Sequence, residues 1–234
     1  ARLLLEAGAA VNQADGGGFT PLYVSCQEGH FECAQLLLED SASVDQTDEQ
    51  GATPLFVACQ NGHLEVAQVL QQAGAAVNQA NARGATPLYI ACQEGRLECV
   101  RLLLEASAAV NQAAAGGFTP LFIACQKGHL EIVGLLLGAS AAVNQAAEDG
   151  CTPLLIACRF GHLDVARLLL EAGAAVNQAD AGGFTPLYVA CQEGHPEVAQ
   201  LLLEASASVG QADKDGVTPL FMACQEGHPE CARL

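Results

Sequence analysis

Cysteine and histidine carry the sharpest chemistry available to this sequence, and they recur in a fixed pattern. Cys-x-x-x-His occurs as Cys26/His30, Cys59/His63, Cys125/His129, Cys158/His162, Cys191/His195 and Cys224/His228. Thiolate and imidazole are preferred zinc ligands, and the same pair can serve as nucleophile and base. The spacing therefore allows six metal half-sites or six catalytic dyads. Two arguments favour a framework role instead. A catalytic constellation is assembled once, whereas a pairing present at nearly every period belongs to the building block. The glycine between the two residues also ends a helix, so thiol and ring need not share a face. Equivalent cysteines on stacked helices lie roughly 8–10 Å apart, whereas zinc holds each sulfur at about 2.3 Å. These cysteines read as small thiols packed between helices.

Cys92 holds the same framework place with Arg96 instead of histidine, and the remaining cysteines divide in two. Cys33, Cys99 and Cys231 stand where other periods carry Val66, Ile132, Val165 and Val198, and that interchange marks them as core. Cys151 precedes Thr152 at a hairpin tip; it is expected to be exposed and is the candidate reactive thiol. The six histidines, all after glycine, read as turn residues between helices rather than pH sensors. Gly16-Gly17-Gly18, with counterparts at Gly116-Gly117 and Gly182-Gly183, reads as a turn rather than a phosphate loop. No Ser-His-Asp set, zincin motif or calcium loop appears.

The elements that position these residues follow from one period. Thr-Pro-Leu begins at Thr20, Thr53, Thr86, Thr119, Thr152, Thr185 and Thr218, always 33 residues apart. In one unit, Thr53 is suited to cap a helix and Pro54 to open it, because proline's missing N–H costs nothing there. That helix runs from Pro54 to Gln60 and stops at Gly62. A second runs from about His63 to Gln72, with Glu65 near its positive end. Gly74, Gly173 or Ser107 ends it, and Val77 to Thr86 reads as an extended hairpin with a glycine turn. Such a pair of short helices cannot bury its leucines alone and must stack on neighbours.

The 33-residue period with Thr-Pro-Leu and Gly-His across the whole chain resembles the ankyrin repeat. The resemblance implies an all-α repeat fold: a solenoid of stacked helix-turn-helix units with short β-hairpin loops, forming a single domain over 1–234. Full repeats fall at 15–47, 48–80, 81–113, 114–146, 147–179 and 180–212, with partial repeats at 1–14 and 213–234. Both ends cut through a second helix, so the chain is expected to be a piece of a longer array. One position departs from the family. Where histidine usually follows Thr-Pro-Leu, this chain has Tyr23, Phe56, Tyr89, Phe122, Leu155, Tyr188 and Phe221. Aromatic stacking between repeats is expected to replace the family's polar network.

The resemblance also implies where a partner docks: the concave face, made of hairpin tips and the ends of first helices. The matching positions include Phe19, Glu28, Glu49, Arg83, Glu94, Phe118, Lys127, Glu148, Asp149, Arg159, Phe160, Phe184, Glu193, Lys214, Asp215 and Glu226. Phe19, Phe118 and Phe184 are either exposed anchors or pack locally against the next hairpin. The row Gln27, Gln60, Gln93, Gln126, Gln192 and Gln225 offers hydrogen bonds to an extended peptide, or is a plain polar helix face. The fifth repeat is the most individual, because Arg159-Phe160 replaces the usual Gln-Glu type of pair. An aromatic beside an arginine suits an interface hot spot. By the same resemblance, Asn12, Asn78, Asn111, Asn144 and Asn177 match positions at which an asparaginyl hydroxylase modifies some members.

Composition narrows the function. Acidic residues outnumber basic ones 26 to 9, giving a net charge of −17. Nucleic acid and anionic membrane surfaces both require the opposite sign. No apolar run reaches the ~18–20 residues of a membrane span. The first reading is a non-catalytic protein-interaction scaffold without cofactor or metal, binding a protein or peptide of basic or mixed surface. The second is a targeting or adaptor segment of a larger protein whose effector domain lies elsewhere; a metal- or thiol-dependent enzyme ranks third. Unpaired buried thiols suit a reducing compartment, cytoplasm or nucleus.

Overall fold

The first helix of every repeat opens at the threonine of Thr-Pro-Leu. Thr53 accepts a hydrogen bond from the Phe56 N–H at 3.1 Å, and Thr20, Thr86, Thr119, Thr152, Thr185 and Thr218 cap their helices in the same way. Proline follows at the first helical position, where its fixed φ fits and no donor is lost. Four residues after the framework cysteine, the second helix begins at a residue with no side-chain cap of its own, usually histidine.

The computed structural model describes residues 2–234; Ala1, the first residue of the partial repeat 1–14, lies outside the described residues. Fifteen α-helices and no strand occur among them. They form two compact units, residues 1–115 and 116–234. The first unit holds α1 (Arg2–Glu6), α2 (Pro21–Gln27), α3 (Phe31–Glu39), α4 (Pro54–Asn61), α5 (Leu64–Gln72), α6 (Pro87–Gln93) and α7 (Leu97–Glu105). The second holds α8 (Pro120–Lys127), α9 (Leu130–Gly138), α10 (Pro153–Arg159), α11 (Leu163–Glu171), α12 (Pro186–Glu193), α13 (Pro196–Glu204), α14 (Pro219–Gln225) and α15 (Pro229–Arg233).

Within each unit the helices form two layers. First helices stack on first helices, α2 on α4 on α6 and α8 on α10 on α12 on α14, and each packs on its own second helix. Leucines fill the space between them. Leu22, Leu55 and Leu88 are sealed in the first unit, as are Leu121 and Leu154 in the second, against Leu70, Leu103, Leu136, Leu169 and Leu202 of the second helices. Fully buried Ala58, Ala67, Ala91, Ala157 and Ala166 let neighbouring helices approach closely.

Two conformations end the helices. Gly62 takes a left-handed φ of 80° and stops α4. Second helices end at Gly74 and Gly173, both at φ 86°, or at Ser41, Ser107, Ser140 and Ser206, which adopt φ 61–67° without glycine's freedom. The loops that follow are hairpins narrower than expected. At the second tip Asp48 N–H donates to Ala52 O and Gly51 N–H to Asp48 O, both at 3.1 Å. A single backbone bond then joins one tip to the next, Glu49 N–H to Gly17 O at 3.2 Å and Ala181 N–H to Asp149 O at 2.7 Å. One bond per joint gives no ladder, so the hairpins remain turns.

Six of the framework cysteines, Cys26, Cys59, Cys92, Cys125, Cys158 and Cys191, are buried between helices as expected. Cys224 is exposed, because no further repeat packs on α14 among the described residues. Cys99 and Cys231 are core, whereas Cys33 is only half-buried.

Candidate functional site

Three consecutive repeats of the first unit build a groove of about 420 Å³. Tyr23 comes from α2, Phe56, Val57 and Gln60 from α4, and Tyr89, Ile90 and Gln93 from α6. Loop residues Asp48, Gln50, Asn81 and Arg83 form the rim. First helices present these side chains because Pro at the first turn and Leu one residue on fix which face turns inward.

The rim is rigid for a specific reason. Asp48 Oδ1 accepts the N–H groups of Gln50 and Ala52 at 2.9 and 2.8 Å, closing its own hairpin. Its Oδ2 accepts the Tyr23 hydroxyl of the preceding repeat at 2.8 Å. Burial and the Asp48 hydrogen bond push the Tyr23 phenol well above its ordinary value, so it stays a donor at every physiological pH. Asn81 repeats the hairpin closure, accepting from Arg83 and Ala85 N–H at 2.9 and 3.1 Å. Arg83 is exposed and enters no ion pair among the described residues. The groove thus combines one uncommitted cation, four primary amides (Gln50, Gln60, Asn81 and Gln93) and three aromatic walls. Such a surface can hydrogen-bond an extended backbone and pack its side chains.

The second unit repeats the device and adds a different surface. Tyr188 donates to Asp213 at 3.0 Å, and burial followed by that bond pushes its phenol up to about 12. The Val217 N–H foremost, with the Tyr188 hydroxyl, holds Asp213 below the usual carboxylate range. In the fifth repeat Arg159 reaches Asp180 of the next hairpin at 3.8 Å. Phe160 beside it is 50% exposed and lies flat over His162, with ring centroids 6.2 Å apart. Of the other expected binding positions, Glu28, Glu49, Glu94, Lys127, Glu148, Asp149, Glu193, Lys214, Asp215 and Glu226 are all exposed, and Arg159 is half-buried. Among the described residues no three of His, Cys, Asp or Glu converge as a metal-binding group.

The model of the family described as "Ankyrin repeats (3 copies)" matches residues 1–81, 73–147, 105–180, 138–213 and 176–234, which together span the whole chain. The chain belongs to the ankyrin repeat family. The crystal structure of the human ASB11 ankyrin repeat domain is similar to it, with 30% sequence identity and a TM-score of 0.81, covering 88% of this chain and 92% of that one. No curated protein matches the chain. Ankyrin repeats are protein-binding modules, and no described helix of this one is long and apolar enough to cross a membrane.

Against the ankyrin pattern, three sequence expectations need correction. Cys151 is not exposed: it is 1% accessible, and burial pushes its thiol up to about 12. Ala52 and Ala85 at the same position are also buried. Phe19, Phe118 and Phe184, at the same position, do find local packing, but within their own repeats. They stack on Tyr23, Phe122 and Tyr188 of their own repeats, with centroids 4.9–5.0 Å apart, and stay partly exposed. Aromatic rings therefore pair within a repeat, and the ties between these repeats are polar. Besides Tyr23–Asp48, the ring of His63 reaches the Gln27 carbonyl at 3.0 Å, His162 that of Gln126 at 3.1 Å and His195 that of Arg159 at 3.1 Å. A carbonyl only accepts, so each ring carries its proton on Nε2.

Sequence reasoning missed Asp48 and its equivalents. Their signal was available: Asp15, Asp48, Asn81, Asp180 and Asp213 recur in register with the period, five residues before the capping threonine.

Proposed function

We propose that this ankyrin array is a non-catalytic scaffold that binds a protein or peptide on its hairpin and first-helix face. The observation that carries the reading is the groove of the first unit, where Gln60 and Gln93 from successive repeats stand beside the unpaired Arg83. Amides at a regular spacing suit the repeating N–H and C=O groups of an extended segment. The surrounding acids, Glu28, Glu49 and Glu94, favour a partner with a basic or mixed surface, and net charge of −17 disfavours nucleic acid. The unbroken 33-residue spacing from Thr86 to Thr119 supports use of all repeats as one functional domain. Unpaired thiols support a reducing compartment, cytoplasm or nucleus. Arg159 and Phe160 would supply a second contact point in the other unit. An effector domain elsewhere in a longer protein is compatible with the same binding role.

Selection of a displayed library of short linear peptides on the intact chain tests this. Enriched peptides should be basic, should lose affinity as salt is added, and should bind about ten-fold more weakly to the Gln60→Ala, Gln93→Ala double variant. Binding indifferent to that variant, and equally to Arg159→Ala with Phe160→Ala, would place the binding surface elsewhere.

A further inference from the structure

The tyrosines of the first helices are paired with the hairpin residue 25 positions on. Tyr23 donates to Asp48 Oδ2 at 2.8 Å, and Tyr188 donates to Asp213 Oδ2 at 3.0 Å. Where the ring has no hydroxyl, the hairpin residue offers no spare carboxylate oxygen. Phe56 is matched by the amide Asn81 and Phe122 by Ala147, while Asp180, matched to Leu155, turns its Oδ2 to Arg159 at 3.8 Å. Tyr89 breaks the rule, because the residue 25 positions on is Ala114, which brings no acceptor.

Ala114 nevertheless holds the same place in its joint as the two aspartates. A Cβ built on the glycine of the preceding tip lies 3.0 Å from the Asp48 Cα at Gly18 and 3.0 Å from the Asp213 Cα at Gly183. At Gly84 it lies 3.3 Å from the Ala114 Cα. The Ala115 N–H also donates to the Arg83 carbonyl at 2.9 Å, as the Glu49 N–H does to that of Gly17. Only the side chain differs. Tyr89, Ala114 and Arg83 all line the groove of the first unit. The Tyr89 hydroxyl has no acceptor among the described residues, and burial alone raises its phenol, whereas Asp48 contributes at Tyr23. It therefore remains protonated and able to donate. Arg83 is a second departure at the same joint: the other tips carry glycine, glutamine or aspartate in its place, never a cation.

We propose that Tyr89 and Arg83 form a subsite for one carboxylate side chain, an aspartate or glutamate, of the extended segment that binds this groove. The ligand's carboxylate takes the part that Asp48 and Asp213 play within the chain. One oxygen accepts the Tyr89 hydroxyl, and the Arg83 guanidinium adds a charge-assisted hydrogen bond. The identity of the ligand as a segment rests on the scaffold reading; the demand for a carboxylate comes from the joint itself.

The surroundings set how much charge the subsite takes. Asp48 also lines the groove, with Oδ1 held by the Gln50 and Ala52 N–H groups and Oδ2 by Tyr23. Glu94, exposed, follows the groove residue Gln93. One cation among these acids suits a monoanion and disfavours a phosphate dianion or a run of acids. The segment is therefore basic overall, with a single acid placed to meet Arg83 and Tyr89.

The chain has three tyrosines, so carbon-13 at the ring ζ position gives one NMR signal per hydroxyl. The intact chain is titrated at neutral pH and constant ionic strength with acetyl-glutamate N-methylamide, and separately with acetyl-glutamine N-methylamide. The glutamate probe should shift the Tyr89 signal and leave Tyr23 and Tyr188 in place. The glutamine probe and the Arg83→Gln variant should each weaken the response about ten-fold. Ala114→Asp supplies the acceptor from within, so it should move the free Tyr89 signal toward those of Tyr23 and Tyr188 and abolish the response. The proposal is overturned if Tyr89 does not respond, if all three signals move together, if the response survives Ala114→Asp, or if a phosphoserine probe binds more tightly than glutamate. Peptides enriched on the chain without any acid, together with a silent glutamate probe, would overturn the subsite and leave the scaffold reading standing. A Tyr89 response with no peptide enriched would do the reverse.

Discussion

At the residue scale, single positions separate intrinsic conformational preference from packing. Ser107 ends α7 at φ 61°, while Gly74 ends α5 at φ 86° in the equivalent place. A left-handed backbone costs an L-residue about 1–2 kcal/mol, and a Cβ built on Gly74 meets no atom within 4 Å. Ser107→Gly should therefore raise the unfolding free energy by about 0.5–1 kcal/mol and Gly74→Ala lower it by about 1 kcal/mol, both read from urea denaturation. Equal shifts of the same sign would contradict the backbone argument. Cysteine reactivity is decided at this scale as well. Cys224 is exposed, whereas Cys151 is buried with its thiol pushed up to about 12. In the native chain iodoacetamide should label Cys224 first and Cys151 far more slowly, and mass mapping of early time points checks the order.

At the element scale, what holds one repeat to the next is a set of local devices that reach about one repeat forward or back. Thr caps satisfy the helix start, histidine rings reach the preceding repeat's carbonyls, and Asp48 closes its own hairpin while accepting from Tyr23. Thr53 is buried, so Thr53→Ala leaves the Phe56 N–H without its acceptor and should cost about 1–2 kcal/mol. His63 is part-exposed, so His63→Ala should cost less, about 0.5–1 kcal/mol. Chemical denaturation of the two variants gives that ranking directly, and the reverse order would mean the inter-repeat tie outweighs the cap. Helix boundaries were legible in the sequence because their causes lie within a few residues: Thr and Pro start α4, and Gly62 stops it. The hairpin tips were legible only in part, because whether the residue before threonine turns in or out depends on the helix it meets. Cys151 shows the consequence.

At the scale of the whole molecule, burial of many thiols and phenols couples stability to alkaline pH. Cys26, Cys151 and Cys191 are each pushed from 9.0 to about 12 by burial. An acid whose folded value is raised keeps its proton longer when folded, so the unfolded chain loses protons first as pH rises. Stability should be flat up to about pH 8 and decline from pH 9 through pH 12, as urea midpoints measured across that range would show. A midpoint constant to pH 11 would mean these thiols are not buried in the folded state. The sequence by itself determined the period, the two-helix unit, the family and the identity of the face that carries variable residues. Those are consequences of short-range spacing repeated in register. The tertiary structure alone decided that Phe19 leans on Tyr23, that Cys151 is sealed and that Asp48 joins two repeats. Each of these depends on which side chain a neighbouring repeat brings within reach, and no spacing inside one repeat contains that information.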